Sequence, residues 1–287
     1  MMRSTFGAYT SSLTTKQHTQ RKEIVEISGK NIWITGASSG IGRALAIHMS
    51  KSAGTLVLTS RRLPVLKEVA ELCSASCKVH VMALDQADID SHEEKMKSII
   101  DLVDHIDIVI WNAGISQRSL ASETAIAVDQ RILQVNYMGV VSLTKLMLPQ
   151  LLSRSISQIV VVSSLVGKFG SPYRSSYAAS KHALHGFFDS LRAELHDTTL
   201  QITLLCPGFI RTDISQHALT ADGSELREMD DRTDKGMLPE VMAQKATRKI
   251  IAGRREAAIG GTELLALWLK RLSPGILARV IAKARVR

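Results

Sequence analysis

The chain alternates short apolar runs, rich in β-branched residues, with longer segments in which apolar residues recur at helical spacing. The runs predict seven strands, at 31–35, 55–59, 78–83, 107–111, 157–162, 201–206 and 257–259. They are continuously apolar, as expected of parallel strands that are covered on both faces. The intervening periodicity predicts helices at 42–52, 64–74, 91–105, 123–153, 177–196 and 239–252.

This alternation runs from residue 30 to residue 260 without a linker, a low-complexity tract or an internal repeat. It predicts one α/β domain of Rossmann type over residues 27–261, a doubly wound seven-stranded parallel sheet with helices on both faces. Residues 1–26 are predicted to be a flexible tail. Because the first 22 residues contain no Asp or Glu, a transit-like targeting peptide is the alternative.

Two segments depart from the alternation. The polar stretch 212–238 follows the carboxyl end of a strand, where open α/β sheets bind their ligands, so it is either a substrate lid or a mobile surface loop. The segment 262–287 has six Lys or Arg against one Glu and is amphipathic. It is expected either to lie on an anionic membrane surface or to pack over the substrate pocket or another subunit.

Composition narrows the classes of protein. With 287 residues, of which 45% are hydrophobic, the chain can fill a large core, which excludes disordered and fibrous classes. The net charge of +9 indicates an anionic partner, but only 4% of residues are aromatic and no nucleic-acid module is present, so nucleic acid is not expected. Cys73, Cys77 and Cys206 form no CxxC pair. We therefore expect a reducing, cytoplasmic location, no disulfide framework and no metal, and the charge-free runs are too short for an integral membrane protein.

A glycine cluster follows the first predicted strand and opens the first helix, in the order Thr35-Gly36-Ala37-Ser38-Ser39-Gly40-Ile41-Gly42. Glycines at this spacing let the backbone turn tightly and approach a pyrophosphate, whose charge then lies at the positive end of the helix. The alternative is a Gly/Ser turn that binds nothing. In a βαβ setting the cluster predicts a dinucleotide site.

The next strand ends at Arg61 and Arg62, where NAD-binding proteins commonly place an acidic residue. From Ile27 through Lys67 the chain has no Asp or Glu. A guanidinium suits the 2′-phosphate of NADP(H), so NADP(H) is predicted over NAD(H), which remains the alternative. Of these two arginines, Arg61 is the one expected to bind the phosphate.

Tyr177 and Lys181 are four residues apart at the start of a predicted helix, so both project from one face. Ser164 lies at the carboxyl end of a predicted strand thirteen residues before Tyr177, and Asn136 lies within the long predicted helix. A phenol beside a cation is suited to acid–base chemistry on a carbonyl or alcohol oxygen. His182 and His185 flank this site and are expected to be solvated.

These motifs together resemble the short-chain dehydrogenase/reductase family, over about residues 29–260. The resemblance rests on TGASSGIG at 35–42, ALD at 83–85, NAG at 112–114, QVNYMG at 134–139, VVSS at 161–164, YAASK at 177–181 and PGFIRT at 207–212. It implies a catalytic tetrad of Asn136, Ser164, Tyr177 and Lys181. With the arginines derived above, the expected cofactor contacts are Gly36, Ser38, Ser39, Gly40, Ile41, Gly42, Arg61, Arg62, Asp85, Asn112, Ala113, Gly114, Tyr177, Lys181, Pro207, Gly208, Ile210 and Thr212. One departure is Trp111 before Asn112, where many relatives have two asparagines.

The resemblance also implies a reaction. Lys181, with an oxidised nicotinamide, is expected to lower the pKa of Tyr177, which exchanges a proton with the substrate oxygen while Ser164 hydrogen-bonds it. Lys181 is further expected to bind the ribose and Asn136 to hold a water. The predicted function is NADP(H)-dependent interconversion of a ketone or aldehyde and an alcohol, on a moderately apolar or lipid-like small molecule. The alternative is a non-catalytic NADP(H)-binding regulatory protein. The family pairs through two long helices, which predicts a homodimer or homotetramer.

Overall fold

A seven-stranded parallel sheet forms the centre of the computed structural model, which describes residues 25–283. The predicted tail up to residue 24 and the last residues of the C-terminal segment, 284–287, lie outside the described residues. The strands are Asn31–Thr35 (β1), Thr55–Ser60 (β2), Lys78–Ala83 (β3), Ile108–Trp111 (β4), Ser157–Val162 (β5), Leu200–Pro207 (β6) and Glu256–Ile259 (β7). Their order in the sheet is β3-β2-β1-β4-β5-β6-β7, which confirms the predicted doubly wound fold.

Ten α-helices connect and extend these strands within the described residues. They are Gly40–Met49 (α1), Leu63–Glu71 (α2), His92–Val103 (α3), Ile126–Leu133 (α4), Gly139–Leu152 (α5), Ser175–Glu194 (α6), Asp231–Asp234 (α7), Pro239–Ile251 (α8), Leu265–Leu272 (α9) and Pro274–Ala282 (α10). Pro64 and Pro239 lie in the first turns of α2 and α8, where a missing N–H costs no helical hydrogen bond. The ends of the predicted elements differ from these by a few residues.

The predicted helix 123–153 is wrong as a single element. It begins at Ile126 and is interrupted by a π-helical segment, Gln134–Met138, between α4 and α5. There the chain makes a wider turn, and the Gly139 N–H donates to the Gln134 carbonyl five residues back. Apolar residues continue at helical spacing through the segment, so periodicity alone gives no sign of the change.

The two faces of the sheet are covered by different helices, because successive side chains along each strand point in opposite directions. Ile32 and Ile34 of β1 belong to a core that includes side chains of α1 and α8. Trp33, between them, belongs to the core under α3, α5 and α6. Its ring packs edge-on against Trp111 at a centroid distance of 5.1 Å. Trp111, the departure noted from the family motif, is thus a buried packing residue.

The ends of the predicted domain also contain ordered structure. Val25, within the predicted tail, is buried in the core, and its N–H donates to the Ile251 carbonyl at 3.2 Å, so the packed chain begins before residue 27. The stretch 212–238 makes isolated backbone bridges and contains the short helix α7. None of the helices between residues 25 and 283 is long and apolar enough to cross a bilayer.

Candidate active site

A large cavity of about 1170 Å³ opens at the carboxyl ends of the strands, where doubly wound sheets bind ligands. Its wall includes Ser164, Tyr177 and Lys181, and every predicted cofactor contact except Gly42. Gly42 and Asn136 are buried outside the wall that lines the cavity. The structure therefore brings almost the whole predicted set around one space.

The glycine loop between β1 and α1 has the shape that a pyrophosphate needs. Gly36 has a φ of +65°, and a Cβ at this position would lie 2.7 Å from the Ala113 Cα. A Cβ on Gly42 would lie 2.3 Å from the Gly36 carbonyl oxygen, so no other residue fits at either position. Ser39 precedes α1 without a side-chain cap, and the first turn of α1 has no acidic residue. Its N–H groups and positive helix end are thus suited to an anion.

Asn112 joins the glycine loop to the end of β4. Its Nδ2 donates to the carbonyl oxygens of Thr35 and Gly36, at 3.0 and 3.1 Å. In return, the Thr35 hydroxyl accepts from the backbone N–H groups of Asn112 and Ala113, both at 3.1 Å. Asn112 therefore positions the loop backbone.

The predicted phosphate-binding arginines lie at the rim of the cavity. Both are exposed, and the Arg62 Nη2 donates to the Ser38 hydroxyl of the glycine loop at 3.2 Å. The structure thus directs Arg62 towards the loop, and Arg61 lines the same cavity. Asp85 follows β3, where its carboxylate accepts from the Ala87 N–H at 3.0 Å and lies 3.6 Å from Arg131.

Asn136 lies in the π-helical segment and is fully buried. Its Oδ1 accepts from the Ile115 N–H at 2.8 Å, and its Nδ2 donates to the Ile115 carbonyl at 2.9 Å and to the Ser180 hydroxyl at 3.0 Å. Since the side-chain amide is bound on both sides, it ties the loop after β4 to helix α6. Asn136 thus positions the elements that carry Gly114 and Lys181.

Tyr177 and Lys181 project into the cavity from the first turns of α6. The Lys181 Nζ lies 5.8 Å from the centre of the Tyr177 ring and donates to the Val162 carbonyl at 2.9 Å. Burial lowers the pKa of Lys181 to about 8. Ser164 stands at the end of β5, where its Oγ accepts from the Val166 N–H at 3.3 Å. A phenol, an ammonium and a hydroxyl therefore meet at one wall.

The pKa of Tyr177 is raised in the protein without a cofactor, and not lowered as expected. Burial raises the pKa of Tyr177, and the Ser164 hydroxyl and the charges of Arg174 and Arg118 oppose that rise. The phenol is consequently neutral near pH 7, the form that can donate a proton to a carbonyl oxygen.

His185 is buried, which contradicts the expectation that it is solvated; His182 is exposed, as expected. The His185 Nε2 lies 3.1 Å from the Ser163 hydroxyl and 3.7 Å from the Cys206 sulfur, and its Nδ1 lies 3.5 Å from Glu256. One ligand atom each of His185, Cys206 and Glu256 fall within 4.8 Å of one another. Glu256 also pairs with Lys168, and burial raises the pKa of Cys206 to about 12, so the thiol is protonated. A protonated thiol and an occupied carboxylate are poor ligands for a cation.

The C-terminal helices α9 and α10 form part of the cavity wall. Trp268, Leu272 and Leu277 all line the cavity. Leu277 is buried, whereas Trp268 and Leu272 are 67% and 79% exposed. The Glu263 carboxylate accepts from the Phe209 N–H at 3.1 Å, which fastens the segment to the loop after β6. Of the alternatives predicted for this segment, packing over the pocket is thus present in the structure.

Sequence reasoning missed a cluster of buried charges beside Tyr177, formed by Arg118, Arg174 and Asp230. Arg174 lies just before α6, whereas Arg118 and Asp230 are 112 residues apart and meet through an ion pair of 2.7 Å. In the sequence, only the position of Arg174 three residues before Tyr177 indicated this cluster. Arg118 and Asp230 come close to Arg174 only in the folded chain.

Comparisons with known proteins identify the family of this chain. The family model described as short chain dehydrogenase matches residues 30–222. A dehydrogenase/reductase SDR family protein 7-like of Anopheles gambiae is 38% identical over 272 residues, which cover 92% of this chain and 86% of that protein. Dehydrogenase/reductase SDR family member 7B of Bos taurus is 37% identical over 257 residues, covering 87% and 79%.

Solved structures share the fold. A short chain dehydrogenase/reductase SDR from Burkholderia phymatum, in complex with NAD, has a TM-score of 0.78 at 21% identity and covers 92% of this chain and 98% of that chain. An alcohol dehydrogenase from Thermococcus sibiricus, complexed with 5-hydroxy-NADP, has a TM-score of 0.70 at 24% identity, covering 81% and 97%. The chain is therefore an oxidoreductase that belongs to the short-chain dehydrogenase/reductase family.

Proposed function

We propose that the protein uses NADP(H) to interconvert a ketone or aldehyde and an alcohol. The observation that supports this most is the placement of Tyr177, Lys181 and Ser164 on one wall of the cavity that the glycine loop enters. A bound nicotinamide supplies or accepts the hydride. Tyr177, neutral because it is buried, donates the proton to the carbonyl oxygen, and Ser164 donates a hydrogen bond to the same oxygen.

The cofactor fits what the chain offers around the glycine loop. The uncapped start of α1, with glycines that cannot carry a Cβ, is suited to the pyrophosphate. Arg62 beside Ser38 would bind the 2′-phosphate of NADP(H). A guanidinium binds a phosphate better than it binds the 2′-hydroxyl that NAD(H) has at this position. Solved relatives in fold carry NAD in one case and 5-hydroxy-NADP in another, so the preference for NADP(H) rests on Arg62.

Replacing Tyr177 by Phe tests the mechanism. We expect Tyr177→Phe to lower kcat with NADPH over a panel of ketones and aldehydes by about 10²–10⁴-fold, because the general acid is removed. Tyr173→Phe makes the same chemical change outside the cavity wall and should keep most of the activity. The readout is oxidation of NADPH, repeated with NADH.

Two outcomes of this assay would contradict the proposal. Turnover that survives Tyr177→Phe would remove the proton donor from the mechanism. A lower KM for NADH than for NADPH would contradict the role given to Arg62. A protein that binds NADPH tightly but reduces no carbonyl compound would instead fit the regulatory alternative, since a sensor of NADPH needs no proton donor.

We further propose that the C-terminal helices touch an anionic membrane surface, which would bring lipid-like substrates to the cavity. Leu265, Trp268 and Leu272 follow one face of α9 and are each more than half exposed at the cavity mouth. Lys270, Arg271 and Arg279 lie on the same two helices. Apolar and basic side chains together are typical of helices that lie in a membrane interface, and liposome flotation tests the proposal.

A further inference from the structure

Arg174 is a buried cation without a hydrogen-bond partner among the described residues. Its side chain is only 8% exposed, and its Nε is buried and unpaired. Its nearest acidic group, the Asp230 carboxylate, lies 3.7 Å from Nη2, which is too long for a hydrogen bond. A guanidinium carries five N–H donors, and none of them donates to another side chain or to the backbone within the part of the chain that the structure describes.

Asp230 offsets only part of the charge of Arg174, because it lies 3.7 Å away without a hydrogen bond and its carboxylate accepts from other groups. It accepts from the Arg118 Nη2 at 2.7 Å, from the Thr233 N–H at 2.8 Å and from the Thr233 hydroxyl at 2.8 Å. Arg118 is satisfied further by the Ser116 hydroxyl and the Gln117 carbonyl. Two buried guanidiniums thus share one carboxylate, and the three groups together keep a net positive charge.

Arg174 presents this net charge to the cavity. Arg174 lines the cavity wall three residues before Tyr177, and its guanidinium lies 5.9 Å from the centre of the Phe209 ring. The aromatic face offsets part of the cost of burying the cation but supplies no acceptor. Burial and the charge of Arg118 lower the pKa of Arg174 to about 10, which still leaves it protonated at neutral pH.

A net charge on buried groups is costly, and an anion that enters the cavity lowers that cost. A carboxylate suits a guanidinium, because two parallel hydrogen bonds can form between them. Other parts of the same wall are apolar, including Val166, Phe169, Leu269 and Ile281. The occupant that matches both features has an apolar body and one carboxylate.

We propose that Arg174 binds a carboxylate of the substrate, so that the compound reduced or oxidised is an apolar oxo or hydroxy acid. The proposal rests on the proposed oxidoreductase function and specifies its substrate class. Arg174 then sets specificity, while Tyr177 and Ser164 act on the carbonyl oxygen. A neutral ketone or aldehyde of the same length would leave the net charge of the cluster uncompensated and bind less well.

Matched pairs of carbonyl compounds test this inference. Medium-chain ω-oxo acids and keto acids are compared with their methyl esters, with NADPH, for the unaltered protein, Arg174→Gln, Arg174→Lys and Lys235→Gln. We expect the unaltered protein to have a KM about tenfold or more lower for each acid than for its ester. Arg174→Gln should raise the KM of the acids by a similar factor and change the esters about twofold or less.

The other variants separate recognition from folding. Arg174→Lys keeps the charge but loses the fork, so the KM of the acids should lie between those of Arg174→Gln and the unaltered protein. Lys235→Gln removes a positive charge from an exposed position outside the cavity wall and should change neither KM. Equal use of acids and esters, or an equal loss of both in Arg174→Gln, would overturn the inference in favour of a structural role.

A binding measurement separates failure of the inference from failure of the proposed function. Calorimetry with NADPH-loaded protein compares decanoate with decanol, neither of which carries a carbonyl to reduce. We expect decanoate to bind more tightly, and Arg174→Gln to abolish the difference. Decanoate that binds no better than decanol refutes the carboxylate site. Tight binding through Arg174 without turnover of any carbonyl compound retains the site and refutes the reaction.

Discussion

At the scale of single residues, burial determines how the titratable groups behind the catalytic wall behave. Burial and then the charge of Lys168 lower the pKa of His185 to about 4, from an ordinary value of 6.5. The imidazole is therefore neutral in the folded protein, one turn along α6 from Lys181. Protonation of His185 therefore requires either local unfolding or a positive charge in the protein interior.

This shift predicts a pH dependence of stability. The unfolded chain binds a proton at His185 below about pH 6.5, and the folded protein binds it only below about pH 4. Because the unfolded state holds more protons between these values, the free energy of unfolding should fall as the pH drops from about 6.5 to 4. We expect His185→Gln to flatten this part of the profile, measured by urea unfolding at a series of pH values.

The matched control is His182→Gln, on the same helix and exposed to solvent. It should leave the slope unchanged. Burial also lowers the pKa of His48, His80 and His92, so part of the slope remains in either variant. A His185→Gln profile as steep as that of the unaltered protein would show that His185 binds its proton equally well in the folded and the unfolded state.

At the scale of elements, the π-helical segment carries Asn136 and is followed by Gly139, where helix α5 packs closely against the loop after β3. A Cβ on Gly139, directly after the segment, would lie 1.9 Å from the Gln86 carbonyl oxygen. Gln86 itself donates to the carbonyl oxygens of Ala113 and Val135, at 3.1 and 2.8 Å. Gly139 therefore lets α5 approach the loop after β3, and Gln86 links that loop to the cavity wall.

We expect Gly139→Ala to lower the free energy of unfolding by about 1–3 kcal/mol, because the new methyl group overlaps backbone that cannot move away freely. Gly186→Ala is the matched control within helix α6, since its Cβ would meet nothing within 4 Å. That change should raise the free energy of unfolding by about 0.5–1 kcal/mol through lower backbone entropy. Urea unfolding measures both, and equal effects of the two substitutions would contradict the close contact at Gly139.

At the scale of the whole molecule, the proposed membrane contact would account for part of the basic charge, and it depends on the C-terminal helices α9 and α10. We expect the unaltered protein to float with phosphatidylserine-containing vesicles and not with neutral ones. Burial of a Leu side chain contributes about 1.5–3 kcal/mol. Trp268→Glu combined with Leu272→Glu should therefore lower the bound fraction about tenfold or more.

Leu102→Glu serves as the control, because Leu102 is a large apolar side chain that is 47% exposed on α3, away from the cavity. It should float as the unaltered protein does. If the unaltered protein does not bind anionic vesicles at all, the membrane proposal is wrong, and the exposed side chains of α9 serve only the cavity.

Local patterns in the sequence determined the order of strands and helices, the glycine loop, and the spacing of Tyr177 and Lys181. These features depend on short-range physics: strand and helix periodicity, the need for glycine where backbone approaches backbone, and the four-residue turn of a helix. Since parallel strands end at one edge of the sheet, the same patterns also placed Ser164 and the loop after β4 near that turn.

Only the tertiary structure decided the remaining features. The π-helical segment at Asn136, the burial of His185, the position of α9 and α10 at the cavity mouth, and the sharing of Asp230 by Arg118 and Arg174 all depend on contacts between distant parts of the chain. The sequence gives the identity of these side chains but not which residues surround them in the folded protein. Their charge state, exposure and free bonding capacity are properties of the packed environment, and that environment exists only once the chain has folded.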